Sequence, residues 1–598
     1  MKGFYNRYLL IDVSNNSFSI EPIDEGILRK YFGGKGLGSW LLQKHQPADA
    51  HPLSPENPFI IATGPVNGSP VWGSSRIGVY TKSPLTGVYL GSYTGGKVPE
   101  KIAKTGFDAI VITGSRKDLC YIEITPEGAI FHDASGMKGM DCHAAERFLN
   151  ERHGKLSGSM VIGPAGEKLI PFALVSNDLW RCAGRGGAGA VLGSKSVKGL
   201  VFTGDCKKEL ADPEGAKAFA HRILLAKRDS AVTHAYKQKG TPMLVDILSD
   251  LKAFPTRYWR QGYFDRFKEI NSDAMYRRMD VHPHACAKCF IACGKYSKVK
   301  DGPHEGLVLE GPEYETIYAM GGLCMIGDIT EIAYLNDLCD RLGVDTISAG
   351  NLVALAMEAS AKGKIKETIP YGDAAAACKL IEDMVEKRGL GAVLAQGIRA
   401  ASIELGMEDE AIHVKGMEPP GYDPRFLKGM GLAYATSDRG ACHLRSTFYK
   451  AELSGIVKPS VIEEKAPVFL DFEDRLTVAD TMVLCRFYRD FYLWDELREI
   501  VRLTTGEDLT KEGLQQISSN VIDLVRNYNI REGVTAHDDS LPKRFFREVL
   551  PEEGYTISED EVETLKSEYY RLRGWDEQGV PESPICPAPH RPLQDQSE

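Results

Sequence analysis

Three cysteines stand in one short run, Cys286-x2-Cys289-x3-Cys293. Thiolates at this spacing wrap one inorganic centre from three sides and need a fourth from elsewhere. That is the pattern of an iron–sulfur cluster that moves electrons. Cys485, in Asp480-Thr481-Met482-Val483-Leu484-Cys485-Arg486-Phe487, is the choice for the fourth. A structural zinc site is the competing reading, but zinc more often uses matched C-x2-C pairs and no second pair exists here.

Two hexapeptides echo one another. Asp340-Arg341-Leu342-Gly343-Val344-Asp345 reads D-x-x-G-x-D, and Asp480 to Cys485 reads D-x-x-x-x-C. Each sets an acid at the end of an apolar helical stretch, before a chain reversal. Carboxylates there can accept N–H groups of a pterin, although an Asp beside a Gly turn is more often a simple cap. The glycine-rich stretches Gly33 to Gly38 and Ala183 to Ala190 let backbone N–H groups crowd an anion. Neither fits a dinucleotide or Walker fingerprint, so a phosphorylated cofactor is the better match. Glu310-Gly311-Pro312-Glu313-Tyr314-Glu315-Thr316 opens a helix, where acids are common as dipole partners. Ala433 to Arg445 contains His443, and a lone histidine is more often structural than catalytic.

The elements that must position these residues divide the chain of 598 residues into a β-rich first part, 1–205, and mainly helical parts at 206–415 and 416–598, an α+β organisation. Strand signals include Phe59 to Thr63, Ile77 to Thr81 and Asp108 to Thr113; helical periodicity marks Ala216 to Lys227 and Glu331 to Arg341. Pro419-Pro420-Gly421 reads as a link between helical parts. A net charge of −10 gives no support to nucleic-acid binding. No apolar run reaches the roughly 20 residues of a membrane helix, and the start lacks a secretory pattern. The 13 scattered cysteines read as reduced thiols plus cluster ligands in a cytoplasm.

Taken together, these segments resemble the tungsten-containing aldehyde:ferredoxin oxidoreductases, closest to the bacterial branch. The resemblance runs through RIGVYTKSPLTG (Arg76–Gly87), AGRGGAGAVLGSK (Ala183–Lys195), the cysteine run, GPEYET (Gly311–Thr316), DRLGVDTIS (Asp340–Ser348), GLAYATSDRGACHLR (Gly431–Arg445) and Asp480 to Phe487. It implies an N-terminal β-sheet domain forming the base for a tungsten bis-pyranopterin, molybdenum being the alternative metal, covered by two mainly α-helical domains. Asp340, Asp345, Asp480, Leu484 and Cys485 then fall at pterin contacts. Cys286, Cys289, Cys293 and Cys485 fall at the ligands of one [4Fe–4S] cluster, with Arg76 between cluster and cofactor phosphate. Gly184, Arg185, Gly186 and Gly187 fall at the phosphates, bridged by Mg2+ on the backbone carbonyls of Tyr93 and Ala183. The family usually has Asn at the position of Tyr93 and often Gly at that of Val483. Some members carry an interface metal held partly by His; no histidine lies between His304 and His413, so none is expected here.

The implied reaction is oxidation of an aldehyde to a carboxylic acid with water. Glu315 is the expected general base, with Glu313 as fallback; His443 is the expected donor to the developing oxyanion, and Tyr314 helps place the aldehyde. Electrons leave through the cluster to ferredoxin or an iron–sulfur subunit, and NAD-linked activity needs a further flavin subunit. Two alternatives stand beside this: a tungsten subunit reducing an aromatic acyl-CoA ring, for which Cys324 is the residue to test, and an electron carrier without an active pterin. Oligomeric state stays open.

Overall fold

The computed structural model describes residues 1–582. Two six-stranded sheets are built entirely within the first part of the chain. The first contains β1 (Arg7–Asp12), β2 (Ser17–Pro22), β3 (Phe59–Ala62), β4 (Ile77–Lys82), β5 (Tyr89–Thr94) and β6 (Ala109–Thr113), in the order β2-β1-β6-β3-β4-β5. The second contains β7 (Cys120–Thr125), β8 (Gly128–Asp133), β9 (Gly158–Val161), β10 (Val175–Asn177), β11 (Arg181–Ala183) and β12 (Val197–Phe202), in the order β11-β10-β9-β12-β7-β8. Each sheet has one parallel pair, β1 with β6 and β7 with β12; the rest is antiparallel.

The apolar continuity of β3, β4 and β6 follows from burial on both faces. Ile61, Val79 and Ile110 face a core shared with Ile122, Met160 and Leu200 of the second sheet. Their neighbours Ile60, Tyr80 and Val111 face a second core with Leu37, Leu41, Val478, Met482 and Tyr528. The first sheet is thus sandwiched between the second sheet and helices from both ends of the sequence. The glycines of 33–38 serve that sandwich. Gly34–His45 is a helix, and a Cβ on Gly34 would stand 2.2 Å from the Asp480 carbonyl oxygen, one on Gly36 1.8 Å from that of Tyr31.

The remaining chain is mainly helical around one large core. Inside it lies a three-stranded antiparallel sheet that the helical periodicity concealed: β13 (Met279–His284), β14 (Gly294–Val299) and β15 (Val308–Glu310). The cysteine run is the loop joining β13 to β14. The two hexapeptides share one local geometry. Asp340 ends the helix Ile329–Leu342 and Asp480 ends Lys465–Met482, and the next residue but two, Gly343 or Val483, is left-handed at φ 80° and φ 58°. A β-branched residue pays for that conformation about 1–2 kcal/mol, which glycine escapes. Pro419-Pro420-Gly421 is a buried segment whose carbonyls accept from the hydroxyls of Tyr318, Tyr434 and Tyr314. Among the described residues no helix is long and apolar enough to cross a membrane, and the cysteines are free.

Candidate active site

Cys286, Cys289, Cys293 and Cys485 line one cavity, with Arg76, Arg181 and Tyr488 in its wall. Left-handed backbone at Lys288 and Ala292 curls the loop so that its thiols face inward. The loop is laced to the first sheet's turns: Ala287 N–H donates to Gly96 O at 3.0 Å, Gly73 N–H to Lys288 O at 2.7 Å, and Cys485 N–H to Gly73 O at 2.9 Å. Burial raises the Cys286 thiol, pushes Cys289 up to about 11, and raises Cys293 further. Arg76 Nη1 stands 3.9 Å from Cys485 Sγ. Among the described residues no three cysteine sulfurs gather within 4.8 Å of one another, whereas sulfurs bound tetrahedrally to one zinc stand about 3.8 Å apart.

Beyond Arg76, β5 runs beside the 183–187 loop, where Arg185 N–H donates to Ser92 Oγ at 3.4 Å. Ala183 closes β11, and Tyr93 lies in β5 with its hydroxyl unpartnered. Gly186 and Gly187 are consecutive left-handed residues (φ 84° and 87°), and a Cβ on Gly184 would meet nothing closer than 3.9 Å. Arg185 reaches out of this loop and ties three segments: Nε donates to Asp345 Oδ2 at 2.9 Å, Nη2 to Glu418 O at 2.8 Å, Nη1 to Ala441 O at 3.3 Å.

The three hexapeptide aspartates differ in surroundings. Asp345 caps the helix Thr346–Ala361 and accepts from Ile347 N–H and Ser348 Oγ besides Arg185, so protein donors take most of its capacity. Asp340 accepts from Asn336 Nδ2 at 2.7 Å; burial, with the charges of Asp337 and Glu310, pushes its carboxyl well up. Asp480 is paired with Arg486 at 2.6 Å. Leu484 is buried, its N–H donating to Ala479 O.

Glu315 and His443 meet. Glu315 Oε2 accepts from Gly421 N–H at 3.0 Å, while Oε1 has no hydrogen bond and lies 3.5 Å from His443 Nε2. Burial raises the Glu315 carboxyl to about 8. Burial, then the charges of Arg439 and Arg185, holds His443 far below its ordinary value, hence neutral. Glu313 does not join them: it accepts from Thr241 Oγ1, and its charge acts on Cys293. Tyr314 turns its hydroxyl to Gly421 O. Cys324 lies in the helical core, 3.4 Å from the carbonyls of Ala319 and Gly350, where burial raises its thiol.

Two arginines flank His443 within Gly431–Arg445 and were not singled out by the sequence reading. Arg439 Nη1 and Arg445 Nη2 both donate to Gly91 O, at 2.9 and 3.0 Å, and Arg439 Nη2 lies 3.1 Å from Cys442 Sγ. Basic residues spaced around a candidate histidine were the available signal. Several buried polar atoms in this region have no hydrogen-bond partner: Tyr93 Oη, Ser437 Oγ, Arg439 Nε, Arg445 Nη1, Glu315 Oε1 and His443 Nδ1. Each such atom costs about 1–3 kcal/mol if left unpaired. Their concentration on one region fits a bound group rich in donors and acceptors.

Residues 8–204 match the family model "Aldehyde ferredoxin oxidoreductase, N-terminal domain", and residues 219–585 match "Aldehyde ferredoxin oxidoreductase, domains 2 & 3". The chain belongs to the aldehyde ferredoxin oxidoreductase family. It is 33% identical to the tungsten-containing aldehyde ferredoxin oxidoreductase of Pyrococcus furiosus, over 97% of each chain, and 32% identical to that of Thermococcus kodakarensis with the same coverage. The WOR-like subunit of the aliphatic sulfonate oxidoreductase of Pyrococcus furiosus is 27% identical over 98% of this chain and 96% of that one. The active site complex BamBC of benzoyl coenzyme A reductase contains a chain of the same fold, at TM-score 0.83 and 21% identity, covering 97% of this chain and 96% of that chain.

Proposed function

We propose that the protein oxidises aldehydes to carboxylic acids with water, at a tungsten bis-pyranopterin, and passes the electrons singly through one [4Fe–4S] cluster. Ferredoxin or an iron–sulfur subunit is the acceptor, in the cytoplasm; NAD-linked activity requires a further flavin subunit. The observation that carries this reading is the buried Glu315–His443 pair, 3.5 Å apart, with Glu315 Oε1 and His443 Nδ1 left without hydrogen bonds.

When bound, the tungsten centre supplies the two-electron oxidation and the cluster the one-electron relay. The chain's residues supply the rest. Cys286, Cys289, Cys293 and Cys485 hold the cluster; their spread suits a cubane better than one zinc. Asp340, Asp345, Asp480 and Leu484 are assigned to the pterins. Gly184–Gly187 and Arg76 are assigned to the phosphates, and the Tyr93 and Ala183 carbonyls to Mg2+. Glu315 in its ionised form takes the proton from water as its oxygen attacks the carbonyl carbon. Neutral His443 donates its single ring N–H to the developing oxyanion. Burial serves both roles, because it raises the basicity of the carboxylate and keeps the imidazole uncharged. Tyr314 anchors Gly421, and through its N–H orients Glu315. Glu313 belongs to the cysteine side and is set aside as base.

Cys324, occupied with core carbonyls, offers little support to the ring-reductase reading. The test is an anaerobic assay with an aldehyde panel and a viologen dye, beside elemental analysis. Tungsten-loaded protein without aldehyde-dependent dye reduction overturns the proposal, as does purified protein with iron but no tungsten, molybdenum or pterin.

A further inference from the structure

Far along the second sheet from the 183–187 loop, three side chains of metal-ligating type converge. Tyr121 and Glu123 are two apart on β7 and so share one face; His132 on the edge strand β8 is the register partner of Tyr121 and joins them there. The helix Cys142–His153 packs on that face through Leu149 and Ala145 against Tyr121, which brings its last residue, His153, to the same place. His132 Nε2 stands 3.0 Å from Glu123 Oε2, and His153 Nδ1 stands 3.5 Å from Glu123 Oε1. One ligand atom from each of the three lies within 4.8 Å of the others.

We propose that Glu123, His132 and His153 form a structural binding site for a borderline divalent transition cation, of which zinc is the fitting case. Two imidazoles and one carboxylate are a zinc-type donor set, not one for calcium or magnesium. Zinc–ligand bonds of ordinary length at a tetrahedral angle place neighbouring N and O atoms about 3.4 Å apart; the two imidazole nitrogens lie 3.0 and 3.5 Å from different oxygens of the one carboxylate, and one oxygen has both imidazoles within 4.8 Å. The side chains are partly exposed, 10 to 24%, so water has access as fourth ligand.

The surroundings hold the ligands in the required presentation. The Tyr121 ring stacks on His132, with centroids 4.6 Å apart and planes 10° apart. Its hydroxyl is 3.2 Å from His153 Nε2, which leaves Nδ1 for the carboxylate side. An outer hydrogen bond on the distal nitrogen is what orients metal-bound histidines. His153 also ends a 12-residue helix, whose C-terminus favours a cation. Arg152, with its guanidinium 6.0 Å from the Tyr121 ring centre, makes no ion pair with Glu123 among the described residues. The site joins β7, the edge strand β8 and the helix end at one point.

A plain Glu–His hydrogen-bonded cluster is the opposing explanation, and zinc uptake separates the two. The full-length holoenzyme, stripped of loose metal with a mild chelator, is titrated with zinc sulfate against a competing chromophoric chelator; the metal is counted by elemental analysis and located by anomalous diffraction at the zinc edge. The expected result is one added zinc per chain at Glu123, His132 and His153. Glu123→Gln and His132→Gln should each weaken uptake more than tenfold. Tyr121→Phe should weaken it by about tenfold, the low end for loss of an outer hydrogen bond, and His282→Gln on the exposed part of β13 should leave it unchanged. All four variants are scored only with parental iron and tungsten content. No added zinc in the parent, equal uptake by Glu123→Gln and His132→Gln, or an anomalous peak elsewhere overturns the proposal.

Discussion

Replacing Glu315 by Gln keeps the size of the side chain and removes its ability to take a proton. Loss of a positioned base costs about 10²–10⁴-fold in turnover. The pH profile is the sharper readout. Burial raises the Glu315 carboxyl to about 8, so the basic form grows as pH rises through that value. About one-eleventh of the groups are ionised one unit below the pKa and about ten-elevenths one unit above it. Aldehyde oxidation by the parent should therefore climb about tenfold in kcat/KM between pH 7 and 9. Its neighbour adds no second limb, because His443 is neutral throughout this range. Glu315→Gln should be slow and flat across the same interval, with tungsten and iron contents equal to the parent. The assay is anaerobic reduction of a viologen dye by a small aldehyde, from pH 6 to 9.5. Near-parental turnover in fully loaded Glu315→Gln, or survival of the rising limb, would refute the assignment of the base.

Other perturbations probe the frame around that pair. Cys289→Ser should lose most of the iron and the spectroscopic signal of a reduced cluster, by elemental analysis and low-temperature electron paramagnetic resonance, and with them dye reduction. Gly34→Ala puts a Cβ 2.2 Å from the Asp480 carbonyl oxygen on a residue at φ 43°; a clash with backbone should cost at least about 2 kcal/mol, seen as a lower denaturation midpoint and reduced cofactor retention. Arg185→Met leaves Asp345 and Glu418 buried without their cation; removing one partner of a buried pair costs about 3–5 kcal/mol, so its midpoint should fall further than that of Arg29→Met, whose ion pairs lie on the surface.

Strands buried on both faces, such as β3 and β4, were legible because their apolar runs are bounded by turn residues. The cysteine run was legible from spacing alone. The pairing of Glu315 with His443 was not: nothing local links a helix start to a distant loop, and only the resemblance joined them. The small sheet β13–β15 escaped because its short strands alternate Lys, His and apolar residues, with no long run to mark them. Gly33 to Gly38 has a second physical reason to be glycine, packing against backbone. Glycine demanded by close packing against backbone looks the same in sequence as glycine demanded by an anion. Pro419-Pro420-Gly421 read as a link because proline and glycine usually mark exposed turns; three tyrosine hydroxyls from two other helical stretches make its burial tolerable. Glu123, His132 and His153 went unnoticed because strand register, not spacing, brings them together.

The helix that begins at Tyr314 does not continue as an ordinary α-helix: Ile317–Leu323 is wound in the wider π form and wholly buried. Such a turn holds one more residue than its neighbours, and isolated cases concentrate at functional places. It therefore works as a vernier. Deleting Ala319 would let the stretch rewind to the α form, shifting the first turn relative to everything after it. The carboxylate aimed at the imidazole would then swing out of line while the helical core behind it stayed put. One surplus residue thus sets the aim of the acid independently of the packing that anchors it.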